Sequence, residues 1–165
     1  MQNAKQSNRM ASLTALAEIL VSRNLRVVTA ESCTGGGIAN AFTDLPGSSG
    51  WFECGFVTYS NEAKIRYLNV APAVIDQFGA VSEETVRAMV AGAVNNSLGD
   101  LAVAVSGIAG PGGGSDAKPV GTVWFAWGNG EHQIVECCHF EGDRHAVREQ
   151  AVDHGIQGLC RWLSC

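Results

Sequence analysis

Apolar residues recur along this chain first at helical and then at strand spacing. Leu13, Leu16, Ala17, Leu20 and Val21 fall on one face of a helix expected over Met10–Ser22, after a polar stretch, residues 1–9, expected to fray. Val27–Ala30 is a short buried strand that runs into Glu31-Ser32-Cys33-Thr34. Gly35 then opens a helix toward Leu45, with Ile38, Ala39, Phe42 and Leu45 on its apolar side and Pro46-Gly47 as its stop. Cys54–Ser60 reads as a second strand. Asn61–Leu68 fits a helix, Pro72 opens a shorter one that Gly79 ends, and Ser82 caps a long one reaching Leu98. Val86, Met89, Val90, Ala93 and Val94 form the buried stripe of that long helix. Leu101–Ser106 is the clearest strand. After a glycine-rich loop, Gly107–Gly121, two strands over Val120–Trp127 and Gln133–Phe140 form a hairpin turned by Gly128-Asn129-Gly130. Asp143 caps a last helix running to Leu163.

Strands and helices alternate early and a hairpin comes late. This order predicts an α/β fold, a single domain over 1–165 with a mixed β-sheet flanked by helices on both faces. Hydrophobic residues make up 46% of the chain and charged residues 16%, which excludes disorder. So low a charged share leaves apolar surface to be covered, and a homo-oligomer, a dimer in the simplest case, is expected. The net charge of −5 argues against a nucleic-acid backbone as partner. No apolar run approaches membrane-spanning length and no leader is evident, so a cytoplasmic protein with reduced thiols is expected. The six cysteines include no CxxC pair, and no histidine cluster supports a metal.

Candidate chemistry gathers where strands end. Glu31–Gly37 places glycines at a strand-to-helix turn, where free N–H groups and the helix dipole favour an anion; capping by Ser32 or Thr34 explains the pattern equally well. The segment is neither a Walker A loop nor a dinucleotide fingerprint. Gly47-Ser48-Ser49-Gly50 precedes Tyr59-Ser60-Asn61 and Lys64. A serine needs a base to become nucleophilic, and no histidine precedes residue 132, so a partly desolvated Lys64 is the alternative to a late histidine. Ser106 ends the central strand, where open α/β sheets place ligand contacts, and Gly107, Gly110 and Gly112–Gly114 free backbone N–H groups beside it. Asp116 and Lys118 are placed to pair and close that loop. Arg144 and Arg148 lie one helical turn apart and share a side that suits an anion, although a solvated face explains Arg148 as well. Trp51 and Phe52 offer a wall for a planar ring.

In series, AESCTGG, GSSxWF, GFVTYSNEAK, GAVS, SGIAGPGGGSxxKPVGTV and GDR closely resemble the nicotinamide-nucleotide amidase family, the short PncC-type proteins. Their domain also forms the C-terminal part of CinA proteins. The resemblance runs from about residue 11 to 163 and implies hydrolysis of nicotinamide mononucleotide to nicotinate mononucleotide and ammonia by a serine–lysine amidase, without metal or organic cofactor. It places the nucleophile at Ser49, with Ser32 as the other candidate, the base at Lys64 and a positioning or relay group at Tyr59. Gly35, Gly36, Ser106, Gly107, Gly110 and Arg144 would lie near the substrate. The reading set against it is a catalytically silent paralogue that binds a nucleotide or a protein.

Overall fold

A computed structural model describes residues 2–165; Met1, part of the segment expected to fray, lies outside the described residues. The first helix, α1, spans Gln2–Ser22 and so starts well before the expected Met10. Arg9 ties it to the last helix through Asp153 and Glu149, a pairing that apolar spacing alone does not announce. There follow β1 (Val27–Glu31), α2 (Gly37–Thr43), a 3₁₀ turn (Ser48–Gly50), β2 (Phe52–Val57), α3 (Asn61–Leu68), α4 (Pro72–Phe78) and α5 (Glu83–Asn95). The chain ends in β3 (Leu101–Gly107), β4 (Thr122–Gly128), β5 (Gln133–His139) and α6 (Arg144–Leu163). The expected element order is the observed one. The expected caps are in place: Ser82 and Asp143 accept from Thr85 and Ala146 N–H groups at the starts of α5 and α6, and Ser60 does the same for Ala63 at the start of α3.

The five strands form one mixed sheet in the order β2-β1-β3-β4-β5. β1 pairs in parallel with both β2 and β3, while β3, β4 and β5 pair antiparallel. Strand alternation sends successive residues to two cores. Val27, Leu101, Val103, Val105, Val123, Phe125 and Trp127 pack under α1, α2 and α6. Val28, Ala30, Ala102, Ala104 and Ala126 pack under α3, α4 and α5. The second layer comes close to the sheet because its strand residues there are small. Gly92 lets α5 press against the end of α3, where a Cβ would collide with the Leu68 carbonyl. No helix of the described residues is long and apolar enough to cross a membrane.

The winding positions the site. The β1-to-β2 connection runs through α2 on one face, whereas the β2-to-β3 connection runs through α3, α4 and α5 on the other. At their carboxyl ends β1 leads toward β2 and β3 toward β4, on opposite sides in the strand order, so these two neighbouring parallel strands send their chains away from each other. A crevice opens there, as at the switch point of any open parallel sheet.

Candidate active site

Ser32 is the first residue past β1 and stands at that crevice. Its N–H donates to the Val105 carbonyl at 3.0 Å, which locks it to the neighbouring strand. On the other side Thr58 N–H donates to the Glu31 carbonyl at 2.9 Å. The ends of β2, β1 and β3 thus bring Thr58 and Tyr59, Ser32, and Ser106 side by side. A cavity of about 280 Å³ lies over them, lined among others by Ser32, Tyr59, Lys64, Ser106, Gly110 and Arg144.

Lys64 enters from the first half of α3 and is 1% exposed. Its Nζ donates to Ser32 Oγ at 3.0 Å, to the Thr58 carbonyl at 2.7 Å and to the Tyr59 carbonyl at 3.4 Å. No carboxylate pairs with it among the described residues. Burial without a counter-ion disfavours the ammonium, and the Lys64 pKa falls from its ordinary value to about 8. A lysine so placed has an appreciable neutral fraction near neutral pH and touches a serine hydroxyl.

The turn that carries Ser32 is fixed from both sides. Glu31, fully buried, accepts from Thr34 Oγ1 at 2.7 Å, from Ile38 N–H at 2.9 Å and from Ala39 N–H at 3.0 Å. Arg148 donates to the Cys33 and Thr34 carbonyls, both at 3.1 Å. The solvated alternative for Arg148 is therefore not what the fold shows. Cys33 is buried beside Ser32, and burial pushes its thiol up to about 11, so it stays protonated and inert. Its backbone N–H makes no backbone hydrogen bond among the described residues.

Arg144, at the start of α6, closes the far side of the cavity. It donates to the Gly110 carbonyl at 2.8 Å and to Tyr59 Oη at 3.0 Å. The segment Ser106–Gly113 forms the floor, and Lys118 fastens the same loop to α4 through the Phe78 carbonyl at 2.8 Å. Asp116 is not the partner of Lys118.

Several expected residues fall elsewhere. Ser49 sits in the exposed 3₁₀ turn before β2, outside the cavity, and Lys64 meets Ser32 in its place. The reason is topological: the Ser48–Gly50 turn lies at the amino end of β2, whereas Lys64 follows its carboxyl end. Gly35 and Gly36 do not line the cavity either. They adopt φ of +62° and +93° to turn the chain into α2, and the N–H groups of that helix start are already taken by Glu31. The anion cradle expected there is filled by the protein's own carboxylate. Trp51 is 1% exposed and packs edge-on against Phe42 at 5.2 Å, so it is core and no ring wall. Ser106, Gly107, Gly110, Tyr59 and Arg144 do surround the cavity. The sequence reading names Glu31 within its first glycine-rich segment but gives it no role, and it does not single out Thr58. A buried glutamate seven residues before a helical N–H carries a signal in its strand position, but the Thr58 carbonyl carries none.

The architecture defines a class: an α/β domain with a serine–lysine pair at the carboxyl edge of its parallel strands. The chain belongs to the CinA C-terminal domain family, which matches residues 10–163. It is 58% identical over 146 residues to the nicotinamide-nucleotide amidohydrolase PncC of Pseudomonas putida, covering 88% of this chain and 91% of that protein. It is 51% identical over 147 residues to the protein of the same name from Escherichia coli K12, covering 87% and 88%. Among solved structures, a CinA superfamily protein from Klebsiella pneumoniae 700603 superposes with a TM-score of 0.90 at 38% identity, covering 94% of this chain and 98% of that one.

Proposed function

We propose that this protein is a nicotinamide-nucleotide amidase that hydrolyses the carboxamide of nicotinamide mononucleotide by acyl transfer through Ser32, with Lys64 as base. The observation that carries this reading is the 3.0 Å contact between the buried, unpaired Lys64 Nζ and Ser32 Oγ. The names of the relatives in Pseudomonas putida and Escherichia coli supply the substrate.

Neutral Lys64 takes the Ser32 proton as Ser32 Oγ attacks the carboxamide carbon. The Thr58 and Tyr59 carbonyls orient the amine and stabilise the ammonium it becomes. The Cys33 N–H, next along the chain from the nucleophile, serves the developing oxyanion. A well-placed donor of this kind contributes roughly 3 kcal/mol to transition-state stabilisation. Protonated Lys64 returns its proton to the departing nitrogen, and ammonia leaves. Lys64 then deprotonates a water that opens the ester, leaving nicotinate mononucleotide and the free serine. Arg144 uses only part of its guanidinium on Gly110 and Tyr59, which leaves it N–H groups with which to bind the substrate phosphate.

Ammonia release from purified protein given nicotinamide mononucleotide tests the substrate, with nicotinamide, nicotinamide riboside and glutamine alongside. Release from the mononucleotide alone is expected. Release from the riboside at an equal rate would contradict the role given to the phosphate.

A further inference from the structure

Far from the Ser32 cavity, on the antiparallel edge of the sheet, three side chains of different chemistry converge. Glu136 and Cys138 lie two residues apart on β5 and share the face toward α6, from which His154 points back. Their ligand atoms lie within 4.8 Å of one another. His154 Nε2 is the common vertex, 2.7 Å from Glu136 Oε2 and 3.2 Å from Cys138 Sγ.

From this cluster we propose that Glu136, Cys138 and His154 form a binding site for one divalent transition ion of the zinc class, bridging the edge strand to the last helix. The donor set is one thiolate, one imidazole and one carboxylate, each an ordinary zinc ligand. A single ring nitrogen with two neighbours can satisfy only one of them by hydrogen bonding, since its one proton or one lone pair is spent on one partner. A cation between the three satisfies all of them at once, and the thiol proton leaves to solvent.

The surroundings suit a metal. The His154 ring is held among Phe125, Trp127 and Phe140, with centroids at 4.9, 5.7 and 5.9 Å, so its Nε2 is aimed before any ion arrives. Arg161 donates to both oxygens of Glu136, at 3.1 and 3.0 Å. Keeping its bond to Oε1 while Oε2 turns to the ion makes Arg161 an orienting partner of a ligand carboxylate. Thiolate and carboxylate together balance the two charges of the ion, and the one positive charge left over is that of Arg161, whose side chain reaches solvent. A cavity of about 300 Å³ lined by Phe140, Asp153, His154 and Gln157 opens beside the ring.

Cobalt titration of the purified, metal-stripped protein tests this. One equivalent of Co(II) is expected to give a near-ultraviolet thiolate-to-cobalt band and visible d–d bands of tetrahedral intensity, both displaced by one equivalent of zinc. Zinc is expected to raise the melting temperature. Cys138→Ser should remove the charge-transfer band, and His154→Gln and Glu136→Gln should each weaken zinc at least about tenfold. Cys137→Ser, at the exposed neighbouring thiol, should change nothing. Circular dichroism establishes that each variant is folded, and Cys138→Ser, the smallest change, decides if His154→Gln is not. No band at stoichiometric cobalt in the wild-type protein would overturn the site. So would a band that survives Cys138→Ser or is lost in Cys137→Ser.

Discussion

Lys64 Nζ lies 3.0 Å from Ser32 Oγ, although the two residues come from different elements on opposite sides of β2 in the chain. The lysine is buried, has no acidic partner among the described residues, and has a pKa lowered by that burial to about 8. As the proposed base, Lys64 must be neutral to act. Activity is therefore expected to rise about tenfold per pH unit below about 8 and to level off above it. A kcat/KM profile from pH 6 upward checks this. Lys64→Arg, whose guanidinium stays charged, should lower kcat by roughly 10²–10⁴ at every pH.

The same burial has a stability signature. Lys64 titrates near 8 when folded against an ordinary 10.5, so the folded state binds its proton more weakly than the unfolded chain does. The stability it costs is present in full below about 8 and disappears as pH rises through 10.5. Lys64→Met lacks this term. Urea unfolding is expected to show the wild type gaining about 3 kcal/mol relative to Lys64→Met between pH 7.5 and 10.5. A constant difference between the two proteins over that range would mean that the lysine is not desolvated.

Glu31 holds the turn that carries Ser32, the proposed nucleophile. Glu31→Ala leaves the Thr34 hydroxyl and the Ile38 and Ala39 N–H groups without their acceptor. A loss of about 2–4 kcal/mol is expected, because buried donors are left unpaired. Chemical denaturation measures it, and kcat should fall with it while KM changes little.

Arg144 spans Gly110 and Tyr59 at the cavity mouth. Arg144→Ala is expected to raise KM for the mononucleotide at least about tenfold, the worth of a charge-assisted contact, with a smaller effect on kcat. Steady-state kinetics separate the two. A change confined to kcat would move Arg144 from phosphate binding to the chemistry.

Much of this was legible in the chain. Element order, two helix caps and the mixed sheet follow from periodicity and from Ser82 and Asp143, because these are local signals. Ser106 and Arg144 are legible as element ends close to glycine, whereas Lys64 and Tyr59 carry weight only through the family motif GFVTYSNEAK. The serine was harder. Ser32 and Ser49 occupy equally plausible glycine-rich turns, and only the pairing of β1 between β2 and β3 decides which turn faces Lys64. Strand order is a long-range property that spacing does not encode. Likewise the helix start at Gly37 reads as an open anion site until Glu31 is seen to fill it.

The most direct test of the serine–lysine account compares ammonia release from nicotinamide mononucleotide by Ser32→Ala and Ser49→Ala. Ser32→Ala should lose all but a trace of kcat, with its fold and melting temperature intact, while Ser49→Ala keeps near wild-type activity. Activity lost in Ser49→Ala and kept in Ser32→Ala would contradict the assignment of the nucleophile.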